Sequence, residues 1–199
     1  MKVNVYIDGF NLYHGGVQRT PYKWLDLGKL CSFILPGHTI NRIRYCTAMV
    51  RQPANQLIYL RALRTVPGLT IHYGQFRSHV VSMPLANPQP GGPRFADVIR
   101  TDEKGSDVNL ATLLLCDAYE NDFEMAAVVS ADSDLAMPIQ VVQKRGLKVV
   151  VLHPPKRHSA ELERIALEYR PVRQRALRAC QFSNTLTDAH GTIVKPSTW

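Results

Sequence analysis

Short apolar runs that read as strands alternate with helical stripes along most of the chain, and this alternation constrains the fold more than any other feature. Residues 2–7 (KVNVYI) are half apolar, rich in β-branched side chains, and stop at Asp8-Gly9. Residues 24–35 place Leu27, Leu30, Cys31 and Ile34 at helical spacing, and Pro36-Gly37 ends the pattern. Residues 40–50 read as a strand. Residues 56–66 read as a helix started by Pro53 and stopped by Pro67-Gly68. Residues 69–81 and 95–101 read as a hairpin around the Pro- and Gly-rich loop 84–93. Then come a helix over 106–119, a strand over 125–130 and a helix over 132–145. A strand over 147–153 and helices over 159–168 and 173–180 follow. Residues 181–199 have no clear period. Such alternation predicts an α/β three-layer sandwich with a mainly parallel central sheet. In sheets of that kind functional groups collect beyond the carboxyl ends of the strands. The candidate residues should therefore share that edge.

Composition narrows the class. A chain of 199 residues buries roughly 70% of its unfolded surface. The longest aliphatic run, Val149-Val150-Val151-Leu152, is far below the about 18 residues of a membrane span. The first ten residues lack the long apolar stretch of a signal peptide. Cys31, Cys46, Cys116 and Cys180 lie far apart, without CxxC or zinc spacing. These features argue against a membrane protein, a secreted disulfide scaffold and a zinc finger. The expectation is a soluble cytoplasmic protein with reduced thiols.

Charge is unevenly distributed. Between Leu27 and Ala96 there is no acid, but there are eight Lys and Arg residues. Between Asp97 and Asp134 ten acids face only Arg100 and Lys104. A metal-dependent nuclease needs this combination: cations for the phosphate backbone and carboxylates for divalent ions. A solvated basic surface with no partner is the other reading.

Three short segments carry the candidate chemistry. Asp8-Gly9-Phe10-Asn11 follows the first strand, so Asp8 projects from the carboxyl edge. Asn11 could bond Asp8 or a metal-bound water, and an ordinary Asx turn explains the same residues. Glu103-Lys104-Gly105-Ser106-Asp107 opens the long helix. Helical spacing sets Asp107 on the face of Ala111, Leu114 and Ala118, where a carboxylate is costly unless paired or bound to a cation. A favourable acid near a helix N-terminus is the alternative. Ser130-Ala131-Asp132-Ser133-Asp134 lies between a buried strand and a helix. One of its two acids can be an N-cap. Four carboxylates at one edge would repel one another, and hard divalent cations resolve such repulsion.

The patterns D-G-x-N after the first strand, E-K-G-x-D opening a helix and S-[GA]-D-S-D after an apolar strand resemble the NYN domains, PIN-like metal-dependent ribonucleases. The resemblance spans nearly the whole chain, with residues 1–182 as the domain and 183–199 as a C-terminal tail. It implies a PIN-like, Rossmann-like fold and a Mg²⁺ or Mn²⁺ site built from Asp8, Asp107, Asp132 and Asp134. Asn11 and Ser130 would assist. Apart from the resemblance, Lys104 beside these acids could neutralise the cluster, touch phosphate or simply be solvated. Ala131 stands where many members carry Gly. The implied reaction is hydrolysis of phosphodiester bonds, and the nucleic-acid partner expected is RNA ahead of DNA.

Arg42, Arg44 and Arg51 are candidate phosphate contacts. Phe10 and Tyr13 are candidates for stacking on bases, while Tyr6 is better placed for the core. No histidine is assigned a role. A symmetric homodimer is the expected assembly. Two other functions fit the sequence: an RNA-binding or scaffolding domain without turnover, and a metal-dependent phosphohydrolase of small phosphate esters.

Overall fold

Strand β1 lies at the middle of a seven-stranded sheet in the computed structural model, which describes residues 1–50 and 54–199. The first half of the chain contains β1 (Lys2–Asp8), α1 (Gly9–Leu12), a π-helical turn (Tyr13–Val17) and α2 (Leu27–Ile34). It continues with β2 (Thr39–Ala48), α3 (Ala54–Leu63), β3 (Leu69–Pro84) and β4 (Phe95–Lys104). The second half contains α4 (Ser106–Tyr119), β5 (Met125–Val129), a 3₁₀ turn (Ser133–Leu135), α5 (Ala136–Lys144) and β6 (Lys148–His153). Then follow α6 (Ala160–Ile165), β7 (Glu168–Pro171), α7 (Gln174–Ala179), β8 (Thr185–Asp188) and β9 (Gly191–Val194). The sheet order is β4-β3-β2-β1-β5-β6-β7, and only β4 is antiparallel to its neighbour. The expected α/β sandwich with a mainly parallel sheet is the observed fold.

The period of two in β1 decides which layer each side chain enters. Val3, Val5 and Ile7 pack with Leu27, Leu30, Leu60, Leu63 and Leu177 on the α2–α3–α7 side. Tyr6 packs on the other side with Leu110, Leu114 and Ala118 of α4 and Ile139 of α5. Asp8 shares the parity of Tyr6 and so reaches the edge on the α4 side. β5 follows the same rule: Ala126 and Val128 join the α4 side, and Ser130 continues that face. All five residues of β5 are buried, as a strand covered on both faces requires.

Several elements differ from the sequence reading. β3 runs to Pro84, because Leu69–Gly74 pair with β2 and Gln75–Pro84 then need a new partner, which β4 provides. The helix expected over 159–168 stops at Ile165, and Glu168–Pro171 form edge strand β7, where a proline is tolerated. The helix expected over 24–35 begins only after Asp26, whose side chain caps Lys29 N at 3.0 Å. Residues 183–199 hold the β8–β9 hairpin. Ile193 is buried, Arg61 pairs with Asp188 at 2.6 Å, and the Trp199 ring lies 5.3 Å from Tyr59. β8 and β9 pair with each other, but the groups they and Trp199 dock against, Arg61 and Tyr59, sit more than a hundred residues away. Pro53, the expected helix starter, lies outside the described residues.

Candidate metal centre

The parallel register sets Ile7 opposite Val129, so the next residues of the two strands, Asp8 and Ser130, meet at one edge. Ser130 Oγ donates to Asp8 Oδ2 at 2.9 Å. Asp8 Oδ1 accepts from Asn11 N at 2.9 Å, capping α1. Asp8 is thus both the turn residue and a member of the acidic site; the two sequence readings describe one side chain. Gly9 is required beside it: a Cβ there would meet the Cys46 carbonyl at 2.8 Å and the Tyr45 ring at 2.9 Å.

The loop after β5 is held by the same residues. Asn11 Oδ1 accepts from Ala131 N at 3.1 Å, and Ser130 Oγ accepts from Asp132 N at 3.1 Å. Asp132 Oδ1 accepts from Asp134 N at 3.0 Å and caps the 3₁₀ turn. From the opposite side, Gly105 at φ +99° turns the chain from β4 into α4, a conformation that favours glycine. Glu103 Oε1 then accepts from Ser106 N at 3.2 Å and Ser106 Oγ at 2.8 Å, fixing the first turn that carries Asp107.

Asp8, Asp107 and Asp132 each offer a carboxylate oxygen, and these oxygens lie within 4.8 Å of one another. Burial and the charges of Asp8, Asp132, Glu103 and Asp134 push the Asp107 carboxyl up to about 6. Burial also raises the Asp8 carboxyl, and the Asn11 N–H and the Ser130 hydroxyl partly offset it. Among the described residues no lysine or arginine pairs with any of the three. A carboxylate-only set under mutual repulsion suits a hard divalent cation.

Other expected site residues fall elsewhere. Asp134 is exposed and outside the triad, because its backbone N–H is committed to Asp132 and its side chain turns to solvent at the start of the 3₁₀ turn. Arg44 is not available to a phosphate. Its guanidinium holds the buried Asp117 at 2.9 Å, which itself accepts from Tyr6 Oη at 2.9 Å. Arg42 pairs with Asp122 at 2.6 Å. Both arginines also lie on β2 behind the carboxyl edge, opposite Asn4 and Tyr6 of β1. Arg51 lies outside the described residues. Lys104 is exposed at the end of β4, opposite Gln75, and does not line the acidic pocket. Four residues to which the sequence reading gave no role do line it: His14, Phe76, Glu103 and Arg157. Arg157 comes from the loop after β6, the strand next to β5, so the rule that places functional groups at the carboxyl edge could have found it.

A parallel α/β sheet with an acidic triad at its carboxyl edge is the architecture of a PIN-like nuclease domain. Residues 2–172 match the NYN domain, and the chain belongs to that family. The chain is also similar to the 6-hydroxy-3-succinoylpyridine 3-monooxygenase HspA of Pseudomonas putida (strain DSM 28022 / S16). The two are 27% identical over 236 residues, covering 100% of this chain and 75% of that protein. The fold is shared with a crystal structure of a protein of unknown function, VPA0982, from Vibrio parahaemolyticus RIMD 2210633. There the TM-score is 0.60 at 17% identity, over 86% of this chain and 93% of the other.

Proposed function

We propose that the chain is a metal-dependent ribonuclease that hydrolyses phosphodiester bonds of RNA. The observation that carries this reading is the convergence of Asp8, Asp107 and Asp132 within 4.8 Å. These residues would hold Mg²⁺ or Mn²⁺, which when bound polarises a phosphoryl oxygen and brings a water toward neutral acidity. The chain's own groups do the rest. Ser130 and Asn11 fix the carboxylates and the loop that bears Asp132. Glu103 fixes the turn that bears Asp107. Arg157, which lines the pocket and forms no ion pair among the described residues, would receive a phosphate of the substrate. Phe10 and Phe76, with ring centroids 5.8 Å apart, form an apolar wall of the same pocket. The reading is tested by incubating end-labelled RNA and DNA with the protein in Mg²⁺, Mn²⁺ or EDTA. Cleavage of RNA with either ion and none in EDTA is expected.

A second reading follows from the similarity to a protein named as a pyridine-ring monooxygenase. It would have this chain oxygenate a small heteroaromatic ring. The donor set favours the nuclease reading: three carboxylates suit Mg²⁺ or Mn²⁺, whereas non-haem iron oxygenases use two histidines and one carboxylate. Consumption of O₂ with 6-hydroxy-3-succinoylpyridine and a reductant, without cleavage of RNA, would favour the monooxygenase instead.

A further inference from the structure

A second cavity, of about 260 Å³, opens beside the acidic pocket, and Phe10 and His14 line both. Gly9, the neighbour of Asp8, is part of its lining. Five of its lining side chains are aromatic, Phe10, Tyr13, Tyr45, Tyr59 and Trp199, and aliphatic ones such as Leu12, Val17 and Leu25 complete the apolar wall. The Trp199 and Tyr59 rings lie 5.3 Å apart, tilted by 52°. Phe10 and His14 stack at 6.3 Å with an interplanar angle of 15°, forming a partition between the two cavities. Thr47, Asn55 and Lys23 add polar groups to this lining, the Asn55 amide donating to Thr198 Oγ1 at 2.9 Å. The amide of Gln56 is already used, donating to Ala48 O at 2.8 Å and accepting from Val50 N at 2.9 Å. The space exceeds the about 150 Å³ that encloses a benzene and is below the about 300–1,000 Å³ of drug-sized sites. It is therefore sized for one planar ring system. Aromatic walls reward a π face, and the few polar groups reward hydrogen-bonding atoms on the ring edge.

The geometry points to a nucleobase seat: the cavity takes the base of a nucleotide adjoining the cleaved phosphate. This assignment rests on the ribonuclease reading, and it adds to the Arg157 phosphate contact a second one, at the base, that positions the strand over the triad. Neither cavity alone would do so. Without an ion the acidic pocket offers the backbone the guanidinium of Arg157 against the carboxylates of the triad, and among the described residues the aromatic one offers it Lys23. A base held on one side of Phe10 sets its own phosphate on the other.

The test uses the intact chain and its tryptophan fluorescence, since Trp199 forms part of the wall and Trp24 lies behind it, with ring centroids 6.4 Å apart. The four ribonucleoside monophosphates, ribose 5-phosphate and 2-hydroxypyridine are titrated in EDTA. Cleavage is then followed with Mn²⁺ on an RNA oligonucleotide and on copies carrying one abasic ribose. The expected result is saturable quenching by at least one nucleotide and none by ribose 5-phosphate. Tyr13→Leu should weaken that binding at least tenfold while keeping apolar bulk. Cleavage beside the abasic position should fall at least tenfold. Equal quenching by ribose 5-phosphate, or undiminished cleavage of abasic RNA, overturns the base seat and leaves the nuclease intact. Quenching by 2-hydroxypyridine with none by any nucleotide assigns the cavity to a free ring and also overturns it. Nucleotide quenching sensitive to Tyr13→Leu, with no RNA cleaved under any metal, upholds the base seat and fails the nuclease reading instead.

Discussion

The Ser130 hydroxyl donates to the Asp8 carboxylate at 2.9 Å across the ends of two adjacent parallel strands. The bond ties together two motifs 122 residues apart, and it leaves Asp8 oriented toward Asp107 and Asp132. Removing the hydroxyl while keeping the fold should therefore loosen the site. Ser130→Ala is expected to lower RNA cleavage about tenfold or more, the range seen when a partner that orients a metal ligand is lost. Stability should change by only about 1–3 kcal/mol, the cost of an unsatisfied buried acceptor. Urea titration and initial rates in Mn²⁺ would separate the two effects.

The triad and Asp134 should behave differently. Asp8→Asn, Asp107→Asn and Asp132→Asn each remove a member of the converging set and should each abolish detectable cleavage. Asp134→Asn should retain cleavage within about threefold, since an exposed side chain outside the set contributes mainly weak long-range charge. Parallel rate measurements on the four variants check this.

Metal-free stability should rise as pH falls through the range just below neutrality. The Asp107 carboxyl is raised to about 6 from an ordinary 3.8, so the folded state binds the proton more tightly than the unfolded chain. Its destabilisation is fully present above pH about 6 and is relieved between there and 3.8. In EDTA, Tm should be higher at pH 5.5 than at 7.5, and Asp107→Asn should flatten the difference. With excess Mg²⁺ the order should reverse, because protons then compete with the ion for the same oxygens. Thermal melts in the two buffers report both signs.

Arg44 and Arg157 should separate stability from binding. Arg44→Met leaves Asp117 buried without its cation, at a cost of about 3–5 kcal/mol, or about 6–20 °C in Tm. Adding Asp117→Asn should recover much of that loss. Arg157→Ala should leave Tm nearly unchanged, weaken RNA binding, and lower the salt slope of that binding by about one. Melting curves and RNA binding at about 50 and 200 mM salt distinguish them.

Much of this was legible in the sequence, and the parts that were not have a common cause. β1 and β5 were readable because both of their faces meet apolar neighbours, and α4 because Leu110, Leu114 and Ala118 mark one buried stripe. Asp8, Asp107 and Asp132 were readable because each stands at a strand end or a helix start, where topology alone fixes the edge. Arg44 was misplaced because a single arginine carries no mark of its partner. Only the parity of β2 and the inward side of α4 bring it to Asp117. Asp134 stands two residues from Asp132, yet it gives its backbone N–H to the Asp132 cap and its side chain is exposed outside the converging set. The β8–β9 hairpin and Trp199 depend on contacts with α3 and Trp24 that no window of local sequence contains.

The central claim is that one acidic triad holds the ion on which cleavage depends. The most direct measurement is Mn²⁺ bound per chain, by electron paramagnetic resonance, alongside the RNA cleavage rate, in the wild type and in Asp132→Asn. The account predicts saturable Mn²⁺ binding that rises together with cleavage in the wild type, and loss of both in the variant while the fold melts normally. Cleavage by Asp132→Asn at the wild-type rate, or RNA cleavage that persists in EDTA, would contradict it.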